Sequence, residues 1–267
     1  MTSIRFVVLT MMLGFFVGCG TSTTTAPATM SEVRVQVDVE QRTERQPEGR
    51  DPYEFSHLDV VLSDAKGAAI EQPDIKVLVN GEPLIFRVAT GNYYDRHPRY
   101  TLPDERKSLL RPDADLTFAL VWADGTTHEI GRTRLPKPLT LAQVTMPETH
   151  RAGRPLDIAW RDLAEPAELV AYHGHEYPDA AGNMVQESGS VHADDVLRKS
   201  IGPGAPKSPS GTMTVPASYF AAVGTKRVAS FGVEILRAHE TPAAKSFAAA
   251  SRIRVARLLT LRADVVK

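Results

Sequence analysis

Hydrophobic and polar residues alternate with a period of two along most of the chain. In residues 33–40 four valines alternate with four polar residues, which is typical of a strand buried on one face. Five further segments repeat this alternation before residue 131, at 58–62, 75–79, 84–88, 116–122 and 128–130. The pattern predicts a series of short strands rather than helices in this half of the chain.

Two turn signals interrupt the alternation. Asn80-Gly81 lies between two alternating segments, and such a pair is a strong hairpin signal because both turn residues must adopt positive φ. Asp124-Gly125 closes the strand that carries Trp122 and begins a returning strand in the same way. We therefore expect two hairpins here, with Trp122 in a core.

The pattern begins again after a proline-containing junction at residues 135–155. Residues 156–160, 167–172, 213–215, 229–236 and 253–261 supply the second set of predicted strands, and Trp160 is expected in their core. The arginines of the last segment are interpreted as its solvated face, opposite Ile253, Val255, Leu259 and Leu261: Arg252, Arg254, Arg257 and Arg262.

The predicted fold class is all-β, with two tandem immunoglobulin-like β-sandwiches. The first domain is expected at 33–147 and the second at 148–267, because each is close to the length of about 100 residues typical of such a domain. A signal peptide at 1–18 and a lipidated, flexible N-terminal tether at 19–32 precede them. The tether is predicted from small and polar residues without periodicity.

Composition limits the possible functions. The formal net charge is −1, from 31 basic and 32 acidic residues in 267, which argues against a nucleic-acid binder that relies on neutralising phosphates. The chain has a single cysteine, so an internal disulfide framework and a cysteine-rich metal site are excluded.

That cysteine, Cys19, follows an apolar leader. Residues 6–18 carry no charge and come after Arg5, which is the layout of a signal peptide and too short for the roughly 20 residues of a membrane-spanning helix. Val17-Gly18-Cys19 resembles the lipobox of bacterial lipoproteins, in which the cysteine receives a diacylglycerol and becomes the mature N-terminus. The resemblance implies lipid attachment at Cys19, and Gly20 after it favours the outer membrane. The alternative is an incidental cysteine in an ordinary signal peptide or an uncleaved anchor.

A second resemblance concerns the body of the chain. The segments 77–84 and 90–93 resemble the strand–turn–strand of bacterial immunoglobulin-like or fibronectin-like lipoproteins, and 156–160 resembles the tryptophan-bearing strand that opens a second such domain. This resemblance implies an architecture and no reaction.

The candidate metal-binding residues are His173, His175 and Glu176. Histidines at positions i and i+2 of a strand project from the same face, so both imidazoles could bind one Zn²⁺ or Cu²⁺, completed by residues downstream, His192, Asp194 or Asp195. The alternative is a polar strand end leading into a loop.

Residues 93–100 combine tyrosine and arginine side chains. Such residues are enriched in binding hot spots, although a sandwich strand with its tyrosines in the core would have the same sequence. Ser63 and Lys66 match an S-x-x-K motif, but they follow a strand and precede Gly67, and the companion motifs are missing. Residues 202–207 form a glycine-rich loop whose prolines lack the N–H groups of a phosphate cradle.

These observations favour a non-enzymatic, lipid-anchored envelope protein that acts as a binding or structural module. We expect a protein or glycan partner in the envelope, no nucleic acid and no cofactor. The alternative is a metal-binding protein or hydrolase that uses the region of His173, His175 and Glu176.

Overall fold

The structure is a computed structural model of the 267-residue chain. It describes residues 29–46, 50–72, 74–88, 98–163, 167–190 and 209–266. The predicted signal peptide and Cys19 therefore lie outside the described residues. Among the described residues, no helix combines the length and the apolar character needed to cross a membrane.

The described residues form sixteen strands joined by turns and short 3-10 segments, so the prediction of an all-β fold with sandwich-like layers is confirmed. The strands are β1 (Arg34–Glu44), β2 (Tyr53–Ser63), β3 (Lys76–Val79), β4 (Glu82–Pro83), β5 (Ile85–Arg87), β6 (Arg99–Thr101), β7 (Asp115–Val121), β8 (Thr127–Arg134), β9 (Val144–Thr145), β10 (Thr149–Arg151), β11 (Leu156–Trp160), β12 (Glu168–Pro178), β13 (Met184–Ser190), β14 (Gly211–Val215), β15 (Arg227–Pro242) and β16 (Arg252–Val266). The 3-10 segments are Met30–Glu32, Asp104–Leu110, Leu141–Gln143 and Ala217–Phe220.

The turn at Asn80-Gly81 forms as predicted, between β3 and β4. Asn80 has a φ of 51° and Gly81 a φ of 82°, the positive values that the hairpin turn requires. The Asn80 side chain also fixes the neighbouring strand, because its Oδ1 accepts the Thr117 N–H at 2.8 Å and its Nδ2 donates to the Asp115 carbonyl at 3.1 Å.

A nine-stranded sheet connects the two halves of the chain. Its strand order is β13-β12-β15-β16-β1-β2-β6-β5, and β10 also pairs with β16. The first and last long strands, β1 and β16, are parallel neighbours from Gln36 opposite Arg252 to Glu44 opposite Thr260. Two smaller sheets, β14-β11-β9 and β4-β3-β7-β8, complete the described strands.

Two apolar cores lie on one face of the large sheet, which we call its inner face. Core one includes Val37, Val60 and Phe118, and core two includes Trp160, Phe231 and Leu261. Trp122 packs against core one as a half-buried residue. The strand β16 contributes to both cores, with Ile253 and Val255 in the first and Leu259 to Val265 in the second. The division into domains at residue 147 stays a prediction.

Buried polar side chains separate the two cores on the inner face. Arg237 and Arg257 lie directly opposite each other on β15 and β16 and are only 1% and 8% exposed. Arg237 Nη1 donates to the Lys137 carbonyl at 2.7 Å, and Arg257 Nε donates to the Pro136 carbonyl at 2.6 Å. The two arginines thus attach the segment between the cores to the sheet.

The interpretation of Arg257 as a solvated residue is therefore wrong. Arg257 shares the inner face with Ile253, Val255 and Leu259, because all four occupy alternate positions of one strand. Arg252 and Arg254 lie half-buried on the opposite, outer face, and Arg262 is exposed there.

Candidate functional site

His173 and His175 lie together on the inner face of β12, at one edge of core two. Their ring centroids are 4.2 Å apart with an interplanar angle of 44°. His173 is opposite Phe231 of β15, and His175 is opposite Val228 on that side and opposite Glu187 of β13 on the other. The sequence prediction that the two imidazoles share a face agrees with this arrangement.

A third side chain, from a different element, reaches this pair. The 3-10 segment Ala217–Phe220 places the Tyr219 hydroxyl in hydrogen-bond contact with Nδ1 of His173. The Tyr219 ring packs edge-on against Phe220 and Phe231, at centroid distances of 5.5 and 5.8 Å. These contacts fix the phenol, because edge-to-face aromatic pairs favour a defined geometry. Nothing in the sequence pattern pointed to Tyr219, which lies 44 residues beyond His175.

The carboxylates near the histidines are already held by cations. Glu176 lies on the outer face of β12, and its Oε2 accepts a hydrogen bond of 2.6 Å from Arg227. Glu187 Oε2 is 2.7 Å from Lys226 Nζ, which also lies over the Tyr177 ring. Hydrogen bonding to Lys226 and the charge of Lys226 lower the pKa of Glu187, and electrostatic interactions with His175 and His173 lower it further.

Within the part of the chain that the structure describes, no three His, Cys, Asp or Glu side chains are grouped closely enough to hold a metal ion. Glu176 does not join the two histidines, because adjacent residues of a strand point to opposite faces. His192, Asp194 and Asp195 lie outside the described residues.

The tyrosine- and arginine-rich segment is described only at its end, since residues 93–97 lie outside the described residues. Tyr100 is a core residue whose hydroxyl donates to the Gln72 carbonyl at 3.3 Å, and burial raises the pKa of its phenol. Arg99 Nε lies 3.5 Å from a carboxylate oxygen of Asp59. The described part thus has the arrangement of a sandwich strand.

The S-x-x-K residues form a strand end and a turn. Ser63 is the last residue of β2 and is buried, and Asp64 Oδ1 accepts hydrogen bonds of 2.8 Å from the N–H groups of Lys66 and Ala68. These local bonds explain why an aspartate occupies this turn.

A further group of side chains, which the hydrophobic pattern did not reveal, forms a surface on the outer face of the large sheet. It is formed by Glu40, Arg42 and Glu44 of β1, Tyr53 and Phe55 of β2, and Glu234 of β15, and we call it the Tyr53 surface. Glu44 is opposite Tyr53 and Arg42 is opposite Phe55, while Thr260 of β16 separates Glu44 from Glu234. The sequence did contain a signal for this surface, because Tyr53 and Phe55 are two residues apart in a strand and therefore project from the same face.

Aromatic side chains on this surface are exposed, whereas its carboxylates are partly buried. Tyr53 is 52% exposed and Phe55 37% exposed, with Lys107 Nζ 5.8 Å from the Phe55 ring centroid. Burial raises the pKa of Glu234, and the negative charge of Glu40 adds to this shift against the opposing effect of Arg42. Arg42 Nη2 is 3.3 Å from Glu40 Oε1.

Tyr172 adjoins the Tyr53 surface on β12. Its ring lies against Gly232, where an added Cβ would collide with the ring, so the close approach requires glycine. Burial raises the pKa of Tyr172 to about 12, and the carboxylates of Glu234 and Glu44 contribute to the increase. Arg262 and Arg42 lower this pKa, so carboxylates and guanidinium groups oppose each other here and burial is the largest cause of the shift.

Comparisons with known proteins give little support for a relationship. No protein-family model matches the chain, and no curated protein matches its sequence. Among solved structures, the chain is similar to the yeast delta-COP-I mu-homology domain, with 9% identity over 91% of this chain and 100% of that chain. The TM-score of this superposition is 0.25, so the likeness carries no argument about fold or function.

Proposed function

We propose that the protein is a lipid-anchored, non-enzymatic binding module of the bacterial envelope. In this proposal Cys19 carries the lipid and holds the protein at the outer membrane, and the Tyr53 surface binds a protein partner. The observation that carries the binding role is the exposure of Tyr53 and Phe55 beside Arg42, because aromatic and arginine side chains concentrate binding energy in interfaces.

The charges of the Tyr53 surface favour a partner segment that contains lysine or arginine. The residues that define the surface carry three carboxyl groups, Glu40, Glu44 and Glu234, and one cation, Arg42, and Lys107 adds a second cation over the Phe55 ring. Because burial and Glu40 raise the pKa of Glu234, a cationic group placed beside it would stabilise its charged form. Complementary charges of this kind increase association rates and select partners.

The sequence around Cys19 supports the anchoring role. Nine residues lie between Cys19 and Thr29, the first described residue, and the ten steps from one Cα to the other span at most about 35 Å. The Val33 carbonyl accepts a hydrogen bond of 2.9 Å from the Ala248 N–H, which ties the start of the fold to its C-terminal part. A tether of this length would keep the folded part close to the lipid surface.

Anchoring is tested by Cys19→Ser. The unsubstituted protein should sediment with membranes and carry acyl groups by mass spectrometry, whereas Cys19→Ser should lose the acyl groups and become extractable without detergent. Membrane association that persists in the variant, or an unprocessed leader without acyl groups in the unsubstituted protein, would contradict the lipid anchor.

Binding is tested with a photo-crosslinking amino acid at position 53 in envelope preparations, with Val223 (79% exposed) as the control position. We expect a specific adduct from position 53 whose crosslinked peptide contains lysine or arginine. The double substitution Glu44→Gln, Glu234→Gln should reduce the yield, and Asp264→Asn on β16 should not. Equal adducts from positions 53 and 223, or a yield insensitive to the two glutamates, would refute this binding surface.

A further inference from the structure

We propose that His173, His175 and Tyr219 form a binding site for one Cu²⁺ ion. This inference goes beyond the proposed function and is independent of the Tyr53 surface. It adds a phenol oxygen to the two imidazoles, so the donor set consists of two nitrogens and one oxygen.

The three side chains that carry the donor atoms lie together. The imidazoles project from one face of β12 with centroids 4.2 Å apart, and the Tyr219 hydroxyl contacts Nδ1 of His173. Two ligand atoms about 2 Å from a metal ion lie about 3 Å apart when they occupy neighbouring positions, which is also the separation of a hydrogen bond. A metal ion bound to both atoms would take the place of the proton shared by His173 and Tyr219.

The chemistry of the donors favours copper. Imidazole nitrogen suits Zn²⁺, Cu²⁺ and Ni²⁺, whereas Mg²⁺ and Ca²⁺ require carboxylate, carbonyl and water oxygens. For a given set of nitrogen and oxygen ligands, Cu²⁺ is the most tightly bound divalent ion of the first transition row. When Cu²⁺ binds, the Tyr219 phenol forms the Cu–O bond and its proton passes to solvent, so affinity should increase with pH.

The surroundings position the ligands and balance their charge. Phe220 and Phe231 fix the Tyr219 ring from two sides. The ion pair of Glu187 with Lys226 lies across from His175, and the ion pair of Glu176 with Arg227 lies on the other face of β12. Because each pair is neutral, Lys226 and Arg227 add little net positive charge that would oppose a bound cation.

The site combines access with partial burial. His173, His175 and Tyr219 are all half-buried, so an ion can reach them from solvent while the aromatic packing restrains them. Supporting contacts of this kind raise the affinity of a site for its metal ion, because they hold the ligand side chains in the geometry that the ion requires.

The proposal is tested by titrating the full chain with Cu²⁺ alone, followed by calorimetry and visible absorption. We expect one equivalent to bind, with a tyrosinate-to-copper charge-transfer band and tighter binding than Zn²⁺. His175→Ala and His173→Ala should each weaken binding at least about tenfold. His239→Ala, which removes an exposed histidine of β15, is the matched control and should leave affinity unchanged.

Tyr219→Phe separates ligation from folding, because it removes only the hydroxyl and keeps the ring that packs on Phe220 and Phe231. This variant should keep the unfolding midpoint within a few degrees, lose the charge-transfer band and bind Cu²⁺ more weakly. The site is refuted if Cu²⁺ binding is unchanged in Tyr219→Phe and His175→Ala, or if His239→Ala weakens it equally.

Discussion

The inner and outer faces of the nine-stranded sheet hold polar side chains in different ways. On the inner face, Arg237 and Arg257 are almost completely buried, and each donates to a backbone carbonyl of the segment between the cores. On the outer face, Glu234 is half-buried beside other titratable groups. Polar residues of β15 thus lie between the two cores on one face and contribute to the Tyr53 surface on the other.

The inner arrangement explains how two arginines can lie opposite each other. Like charges in directly opposite strand positions are destabilising. Here both guanidinium groups point to a proline-containing segment, and Pro136 and Pro138 have carbonyls but no N–H groups. This segment therefore needs donors, and the arginines supply them. Gln41, half-buried opposite Arg257 on β1, continues the polar row by donating to the Leu110 carbonyl.

The largest expected effect concerns Arg257, compared with Arg254 of the same strand. Arg257→Ala removes a buried donor and leaves the Pro136 carbonyl without it, so we expect a loss of about 3 kcal/mol in the free energy of unfolding. Arg254 has a 2.9 Å ion pair with Asp38 on the outer face, and Arg254→Ala should cost about 0.5 kcal/mol. Urea unfolding of the two variants measures the difference, and equal losses would show that the inner arginine has no special role.

The error at Arg257 shows where sequence reasoning reached its limit. Alternation correctly predicted the strand. Because the neighbouring residues 258 and 259 are both apolar, the alternation is interrupted directly after Arg257. The face of Arg257 could therefore be assigned only by counting every second residue from Ile253 and Val255. A buried arginine requires an acceptor, and its acceptor is about 120 residues earlier in the chain. Strand pattern contains no information about that contact.

For the topology, too, local features could be predicted from the sequence and long-range pairings could not. Asn80-Gly81 forms a turn whose φ values depend only on local residues, and the sequence predicted it. The parallel pairing of β1 with β16 brings together residues more than 200 positions apart, and nothing local specifies it. The same distinction applies to the copper site: the facing of His173 and His175 follows from strand periodicity, whereas the position of Tyr219 depends on tertiary packing.

A smaller effect should distinguish two glutamates whose pKa values shift in opposite directions. The pKa of Glu234 is raised, so its protonation favours the folded state: that stability is complete below the unfolded pKa near 4.5 and is lost as pH increases through the folded pKa. Glu234→Gln should therefore be more stable than the unsubstituted protein at pH 7, and this difference should shrink towards pH 4. The pH dependence of urea unfolding midpoints measures it.

Glu187 is the control, because its pKa is shifted in the opposite direction. Its pKa is lowered, mainly by Lys226, so its contribution to stability is present above the unfolded pKa and is lost as pH falls through the folded pKa. Glu187→Gln should be slightly less stable than the unsubstituted protein at pH 7, by a small amount because the ion pair is exposed. If both substitutions change the stability at pH 7 in the same direction, the two carboxyl groups do not have the different surroundings described above.

The smallest effect on stability is expected at Tyr53, and it separates binding from folding on the outer face. Tyr53 is 52% exposed, so Tyr53→Ser should change the free energy of unfolding by no more than about 0.5 kcal/mol. The same substitution should lower the yield of the partner adduct when the photo-crosslinking residue is placed at position 55 instead. A large loss of stability would mean that Tyr53 is part of the folded core, and its exposure would then no longer support a binding surface. An unchanged adduct yield in a stable variant would instead exclude Tyr53 from the contact with the partner.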